Sequence, residues 1–254
     1  MVVLLHGLMT DHRVWKPVID ALGRRYRFVS LEAPGHGGSP TLTSSYSLEQ
    51  EADVLVETLD QIGIGFPVAW VGHSMGGMKA MRVALRHPIA VSQLVLISTQ
   101  PYTEPERTAR PYWAMVEAAK SWGISADLAE VIGRLNFHRS FLPTDGGKLW
   151  LEHFTHLKAD DIREACSSVF DRGDVSDSLS TIAVPTLVLH GENDVPIRLP
   201  VTRDWVRMLP NAELLEIADC GHTPHFERPD VVAPAIDRFL QRVAPGQHAT
   251  KQIR

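Results

Sequence analysis

The sequence predicts an α/β domain: a mostly parallel central sheet flanked by helices and interrupted by a helical insertion. Three observations carry that expectation. Short apolar runs alternate with amphipathic stretches through residues 1–100, the rhythm of successive β-α-β crossovers. The run Val68–Val71 passes through Gly72-His73-Ser74-Met75-Gly76 straight into a helical pattern rich in small residues. Residues 101–181 then hold helix-like stretches and no clear strand, after which strand and helix patterns resume over 182–244.

Val2–Leu5 reads as the first strand, followed by a helix over about Asp11–Leu22 with Val14, Trp15, Val18, Ile19 and Leu22 on one face. Strand Arg27–Leu31 leads into a Gly/Pro/Ser-rich loop and a helix from Leu48 to about Ile62. Ser47 is its expected N-cap, with Gln50 three residues on completing a capping box. Strand Val68–Val71 precedes a helix that stops at His87-Pro88, and Val91–Ser98 closes this half. Helix-like stretches follow at Pro111–Trp122, Asp127–Arg139, Gly147–Leu157 and Asp160–Phe170. Trp113, Trp122, Trp150, Phe137, Phe141 and Phe154 lie in or beside them, with methionines and leucines. Most of these aromatics are expected to hold the insertion together, and a few to line a mostly apolar pocket. Pro185–His190, a helix near Leu199–Met208, Ala212–Ala218 and a last helix Asp230–Val243 complete the expected order, with a loose polar tail over 245–254.

The motif at 72–76 is the pattern that matters most for chemistry. A strand-to-helix turn this tight leaves no room for side chains at 72 and 76, so glycine belongs there. It also forces Ser74 into strained geometry with its hydroxyl exposed at the top of the sheet. G-x-S-x-G arises by chance in many chains, but here a strand precedes it and a small-residue helix follows. A serine hydroxyl needs a base within hydrogen-bond reach and an acid to orient that base. Asp219-Cys220-Gly221-His222-Thr223-Pro224 follows the predicted strand Ala212–Ala218 and offers His222 as the base. Gly191-Glu192-Asn193-Asp194 follows Pro185–His190 and offers Asp194 as the acid. Each has a duller explanation. The chain holds 12 histidines, Asp194 could merely cap the helix near Leu199, and Glu192 is a competing carboxylate. The oxyanion of an acyl-transfer intermediate needs two N–H donors. Met75, at the start of the helix, is one candidate. Leu8 is the other, in the loop His6-Gly7-Leu8 where Gly7 lets the main chain turn.

On these residues the chain resembles the α/β-hydrolase superfamily over nearly its whole length. The matching landmarks are His6-Gly7-Leu8, the turn Leu31–Ser39, the elbow Gly72–Gly76, Gly191–Asp194 and Cys220-Gly221-His222. The Gly-His-Ser-Met-Gly-Gly variant is similar to small bacterial esterases, enol-lactonases and haloperoxidase-like hydrolases. The resemblance implies a nucleophile, acid and base at Ser74, Asp194 and His222, oxyanion donors at Leu8 and Met75, and a helical cap over 101–181 between core segments 1–100 and 182–244. Members of the superfamily usually carry a hairpin before the strand ending in His-Gly. Here Met1 already sits in that strand, so the hairpin is expected to be missing, by truncation or by genuine shortening. Arg27–Leu31 would then form a sheet edge, and an uncovered edge pairs readily with a second copy.

Composition narrows the remaining classes. A net charge of −5 with no Lys/Arg cluster argues against a nucleic-acid partner. No apolar run approaches a membrane span. Two cysteines, Cys166 and Cys220, suit a reducing cytoplasm better than a disulfide scaffold. Cys220 is expected near the site but lacks an elbow of its own. His153/His156 and His222/His225 are spaced as metal ligands can be, without an accompanying Cys or carboxylate set, and Gly35-His36-Gly37-Gly38 lacks the lysine of a phosphate loop, so it reads as a tight turn. No metal or cofactor is expected. The resulting expectation is a serine hydrolase of small carboxylic esters or lactones. Carbon–carbon bond hydrolysis, peptidase or perhydrolase chemistry on the same triad, or a non-catalytic ligand-binding protein, are the alternatives.

Overall fold

The computed structural model describes residues 1–242. The expected tail at 245–254, and Val243 at the end of the last expected helix, lie outside the described residues. In chain order the elements are β1 (Val2–Leu5), α1 (Lys16–Leu22), β2 (Phe28–Leu31), α2 (Leu48–Gln61), β3 (Val68–His73), α3 (Met75–Arg86) and β4 (Val91–Ile97). Four helices follow, α4 (Glu106–Trp122), α5 (Ala126–Asn136), α6 (Asp145–His156) and α7 (Ala159–Phe170). The chain then returns through β5 (Thr186–Gly191), α8 (Leu199–Val206), β6 (Ala212–Ile217), α9 (Pro224–Glu227) and α10 (Pro229–Arg242).

The six strands form one parallel sheet in the order β2-β1-β3-β4-β5-β6. Strands buried on both faces should be apolar at every position, and β1 is Val-Val-Leu-Leu. Its side chains divide between two cores as the pleat demands. Val2 and Leu4 join α1 and α10 on one face, while Val3 and Leu5 join α2, α3 and α8 on the other. A third cluster seats the inserted helices: Val116 of α4 and Ile162, Cys166 and Phe170 of α7 close over Met75 and Met78 of α3. Among the described residues β2 is a sheet edge with a ladder only toward β1.

Several boundaries differ from expectation for identifiable reasons. The first helix is split: His12–Trp15 is a 3₁₀ turn capped by the Asp11 carboxylate, and α1 restarts with Pro17 in its first turn. α4 begins at Glu106, so Pro111 lies inside it rather than opening it. α5 ends at Asn136, three residues early, because Phe137 turns to an extended conformation. The Ser47–Gln50 capping box forms in both directions. No helix among the described residues is long and apolar enough to cross a membrane.

Candidate active site

Ser74 sits between β3 and α3 with φ 50° and ψ −116°, a conformation strained for any residue with a Cβ. The turn holds it there by excluding alternatives. A Cβ on Gly72 would lie 2.3 Å from the Gly76 carbonyl oxygen, and one on Gly76 would lie 2.2 Å from that of Leu5. The Ser74 N–H donates to Ile97 at 2.9 Å, and its carbonyl accepts from Thr99 Oγ1 at 2.8 Å, which ties the elbow to the end of β4.

Two strand ends bring the partners over. Ser74 Oγ lies 2.9 Å from His222 Nε2, and His222 Nδ1 lies 2.8 Å from Asp194 Oδ2. Asp194 Oδ1 accepts the Ile197 N–H at 2.9 Å, in the turn ahead of α8, whose N-cap is Arg198 with no side-chain cap bond, so the carboxylate does not cap that helix. Burial alone would push the Asp194 carboxyl up. The His222 ring, its hydrogen bond, His190 and the Ile197 N–H outweigh that and hold it below its usual value. Glu192 is exposed, with its N–H bound to Ile217, and is not brought to His222. The two loops interlock: a Cβ on Gly191 would lie 2.0 Å from the Gly221 oxygen.

Leu8 lines the same cavity as Ser74 and His222, while Met75 begins the helix behind the serine. Among the described residues neither backbone N–H has an acceptor, so both are available to a ligand oxygen. Gly7 opens the turn, its carbonyl accepting the Thr10 N–H at 3.3 Å, without itself being left-handed. The left-handed residue is Met9, at φ 64°, and Gly7 is needed because a Cβ there would lie 2.6 Å from His73 Nδ1. His36 stabilises this turn. Its Nε2 accepts the Met9 N–H at 3.1 Å and its Nδ1–H donates to Pro34 at 3.0 Å. Burial lowers its pKa to about 4, which keeps Nε2 an acceptor at neutral pH.

Sequence reasoning passed over three side chains that shape this site. His73, inside the motif itself, donates from Nε2 to the His222 carbonyl at 2.7 Å, and burial first of all lowers its pKa to about 3. His36 stood in a turn read only for its glycines. Glu227 lies one residue beyond the capping-box spacing from Thr223, so that rule does not find it. Cys220 is buried behind the site as a free thiol, and burial raises its pKa. Of the two histidine pairs set aside as metal ligands, His225 is buried and stacked on Trp15 at 4.1 Å, and His153 meets Trp150 edge-on. Asp11, His12 and Glu32 do approach one another, with Asp11 buried and His12 exposed.

The cavity over Ser74 encloses about 730 Å³ including its open mouth. Met78, Met115, Leu135, Val169 and Ile197 give it apolar walls, with Gln100, Glu104 and Asn136 as polar groups beside the triad residues. Its aromatic walls are Tyr112 and Phe170, not the aromatics singled out from sequence. Phe137, Phe141, Phe154 and Trp150 pack among themselves and with Phe226, and Trp122 is 85% exposed. Glu104 is held by Arg172 at 2.9 Å, and among the described residues no Lys or Arg lines the cavity.

A parallel sheet that presents a serine on a strained strand–helix turn, beneath an apolar cavity, defines a hydrolase of the α/β class. The chain belongs to the alpha/beta hydrolase family, whose model matches residues 2–235. It is 28% identical over 248 residues to a pimeloyl-[acyl-carrier protein] methyl ester esterase of Nitrosomonas europaea, covering 92% of this chain and 93% of that one. The fold also matches a thermophilic esterase from Thermogutta terrifontis, with TM-score 0.88 and 24% identity over 95% of this chain and 89% of that one. The enol-lactonase from Burkholderia xenovorans matches with TM-score 0.86 and 23% identity, over 94% and 90%.

Proposed function

We propose that the protein is a metal-independent serine hydrolase that cleaves carboxylic esters through an acyl-enzyme. The observation that carries this reading is the continuous relay from Ser74 Oγ through both nitrogens of His222 to Asp194, at 2.9 and 2.8 Å. Because Nδ1–H is held by the Asp194 carboxylate, Nε2 is left unprotonated toward the serine. It takes the hydroxyl proton as Oγ attacks the acyl carbon. The carbonyl oxygen, now an anion, is received by the Leu8 and Met75 N–H groups at the positive end of α3. His222 returns its proton to the leaving alcohol. It then activates water to attack the acyl-enzyme, which releases the carboxylic acid and regenerates the Ser74 hydroxyl. A lactone is an internal ester and meets the same steps. The methyl-ester activity in the name of the Nitrosomonas relative supports an ester over a peptide or carbon–carbon bond. A fluorophosphonate should label Ser74, and p-nitrophenyl butyrate should be hydrolysed. An unlabelled serine in folded protein would overturn the reading.

The inserted helices serve as the cap expected over 101–181, and their cavity wall sets the acyl preference. With apolar walls, a fixed carboxylate at Glu104 and no cation lining it among the described residues, it suits an uncharged acyl chain. Hexanoyl esters should therefore exceed the half-ester of a dicarboxylic acid, with its free carboxylate, by on the order of 100-fold in kcat/KM. Equal values for the two would rule out this preference.

The β2 edge supports pairing with a second copy. It is flanked by a groove lined by Leu31, Leu42 and Val54, of which Val54 is 56% exposed. Sedimentation should show a dimer that Val54→Lys dissociates, whereas a monomer at high concentration would count against it. The free, buried thiols of Cys166 and Cys220 are compatible with the cytoplasm.

A further inference from the structure

Glu227 is a partly buried carboxylate that the proposed chemistry does not use. Its partners among the described residues are three backbone amides and no cation. Oε1 accepts the N–H of Thr223 at 3.1 Å. Oε2 accepts the N–H of Gly221 at 3.1 Å and that of His138 at 2.7 Å. The first two amides belong to the residues on either side of His222. The third belongs to the segment leaving α5, beside Asn136, which lines the cavity. Thr223 Oγ1 adds a parallel link by donating to the Asn136 carbonyl at 2.8 Å.

The packing at this junction leaves no slack. A Cβ on Gly221 would lie 2.4 Å from the His138 nitrogen and 3.0 Å from Glu227 Oε1. The early end of α5 belongs to the same arrangement: Phe137 is extended, which presents the following His138 N–H to the carboxylate. Burial raises the Glu227 pKa despite the three amides, so keeping a carboxyl here works against its own solvation. An apolar side chain would avoid that cost but would leave two N–H groups flanking His222 without acceptors.

We propose that Glu227 is a positioning residue that sets the His222 loop and the inserted helices in one register. Through it the imidazole that serves Ser74 and the wall that contacts the acyl chain move together. The inference rests on the serine-hydrolase reading and adds a residue that acts through His222.

Glu227→Gln tests it sterically and electrically. A glutamine has one oxygen, so it satisfies either Thr223 or the Gly221–His138 pair and turns its NH2 against the other donors. The rate of Ser74 phosphonylation by a fluorophosphonate should fall on the order of 10- to 100-fold, as expected for a base displaced by a fraction of an ångström to an ångström. The kcat for p-nitrophenyl acetate should fall in parallel with little change in KM. Glu227→Asp, which keeps the charge but withdraws it by a methylene, should fall between. Phe239→Leu, a core change in α10, is the control for lost stability and should leave both rates per folded molecule unaltered. Wild-type phosphonylation rates in folded Glu227→Gln or Glu227→Asp would overturn the inference alone. Failure of the wild type to label at Ser74 would overturn the hydrolase reading beneath it.

Discussion

Ser74→Ala should lose ester hydrolysis by about a millionfold in kcat, the loss expected when the nucleophile of a relay that works as a unit is removed. The fold should survive. The Ser74 side chain makes its one hydrogen bond to His222, and the backbone bonds that fix the elbow, to Ile97 and from Thr99, do not involve the hydroxyl. Alanine is no better suited to φ 50° than serine, so the strain is unchanged. Stopped assays with p-nitrophenyl butyrate and a fluorophosphonate label separate lost chemistry from lost protein. Substantial turnover by Ser74→Ala would move the nucleophile elsewhere.

Asp194→Asn should cost about 10⁴-fold in kcat. The asparagine oxygen can still accept the Ile197 N–H, which directs its NH2 toward His222 Nδ1. That nitrogen must then be an acceptor, the proton shifts to Nε2, and the ring can no longer take one from Ser74. Glu192→Gln provides the contrast: Glu192 is exposed and does not reach the ring, so kcat should stay within about twofold. The reverse pattern would transfer the acid's role to Glu192.

How much of this was legible depended on whether the signal was local. The strands β1, β3, β4 and β5 are apolar runs with clear punctuation, and the Ser47 capping box is a short pattern. The elbow motif implied its own backbone geometry through Gly72 and Gly76. Order along the chain was enough to nominate Asp194 and His222, because strand ends in a parallel sheet converge on one edge. Side-chain direction within the inserted helices was not readable. Tyr112 and Phe170 face the cavity while Trp150 and Phe154 face the core, and amphipathic spacing alone does not say which apolar face meets which surface. Glu227 was invisible for another reason. Its partners are backbone amides from two distant segments, and a backbone amide leaves no mark in a sequence.

The pairing of β4 with β5 has a consequence for assembly. These neighbours in the sheet are separated along the chain by all four inserted helices. A nascent polypeptide that has not yet extended past Thr186 holds Ser74 without His222 and Asp194, which meet it in the folded chain. Under the proposed mechanism, reactivity therefore waits on the closure of that long loop. Parting β4 from β5 would separate the Ser74 hydroxyl from the His222 imidazole.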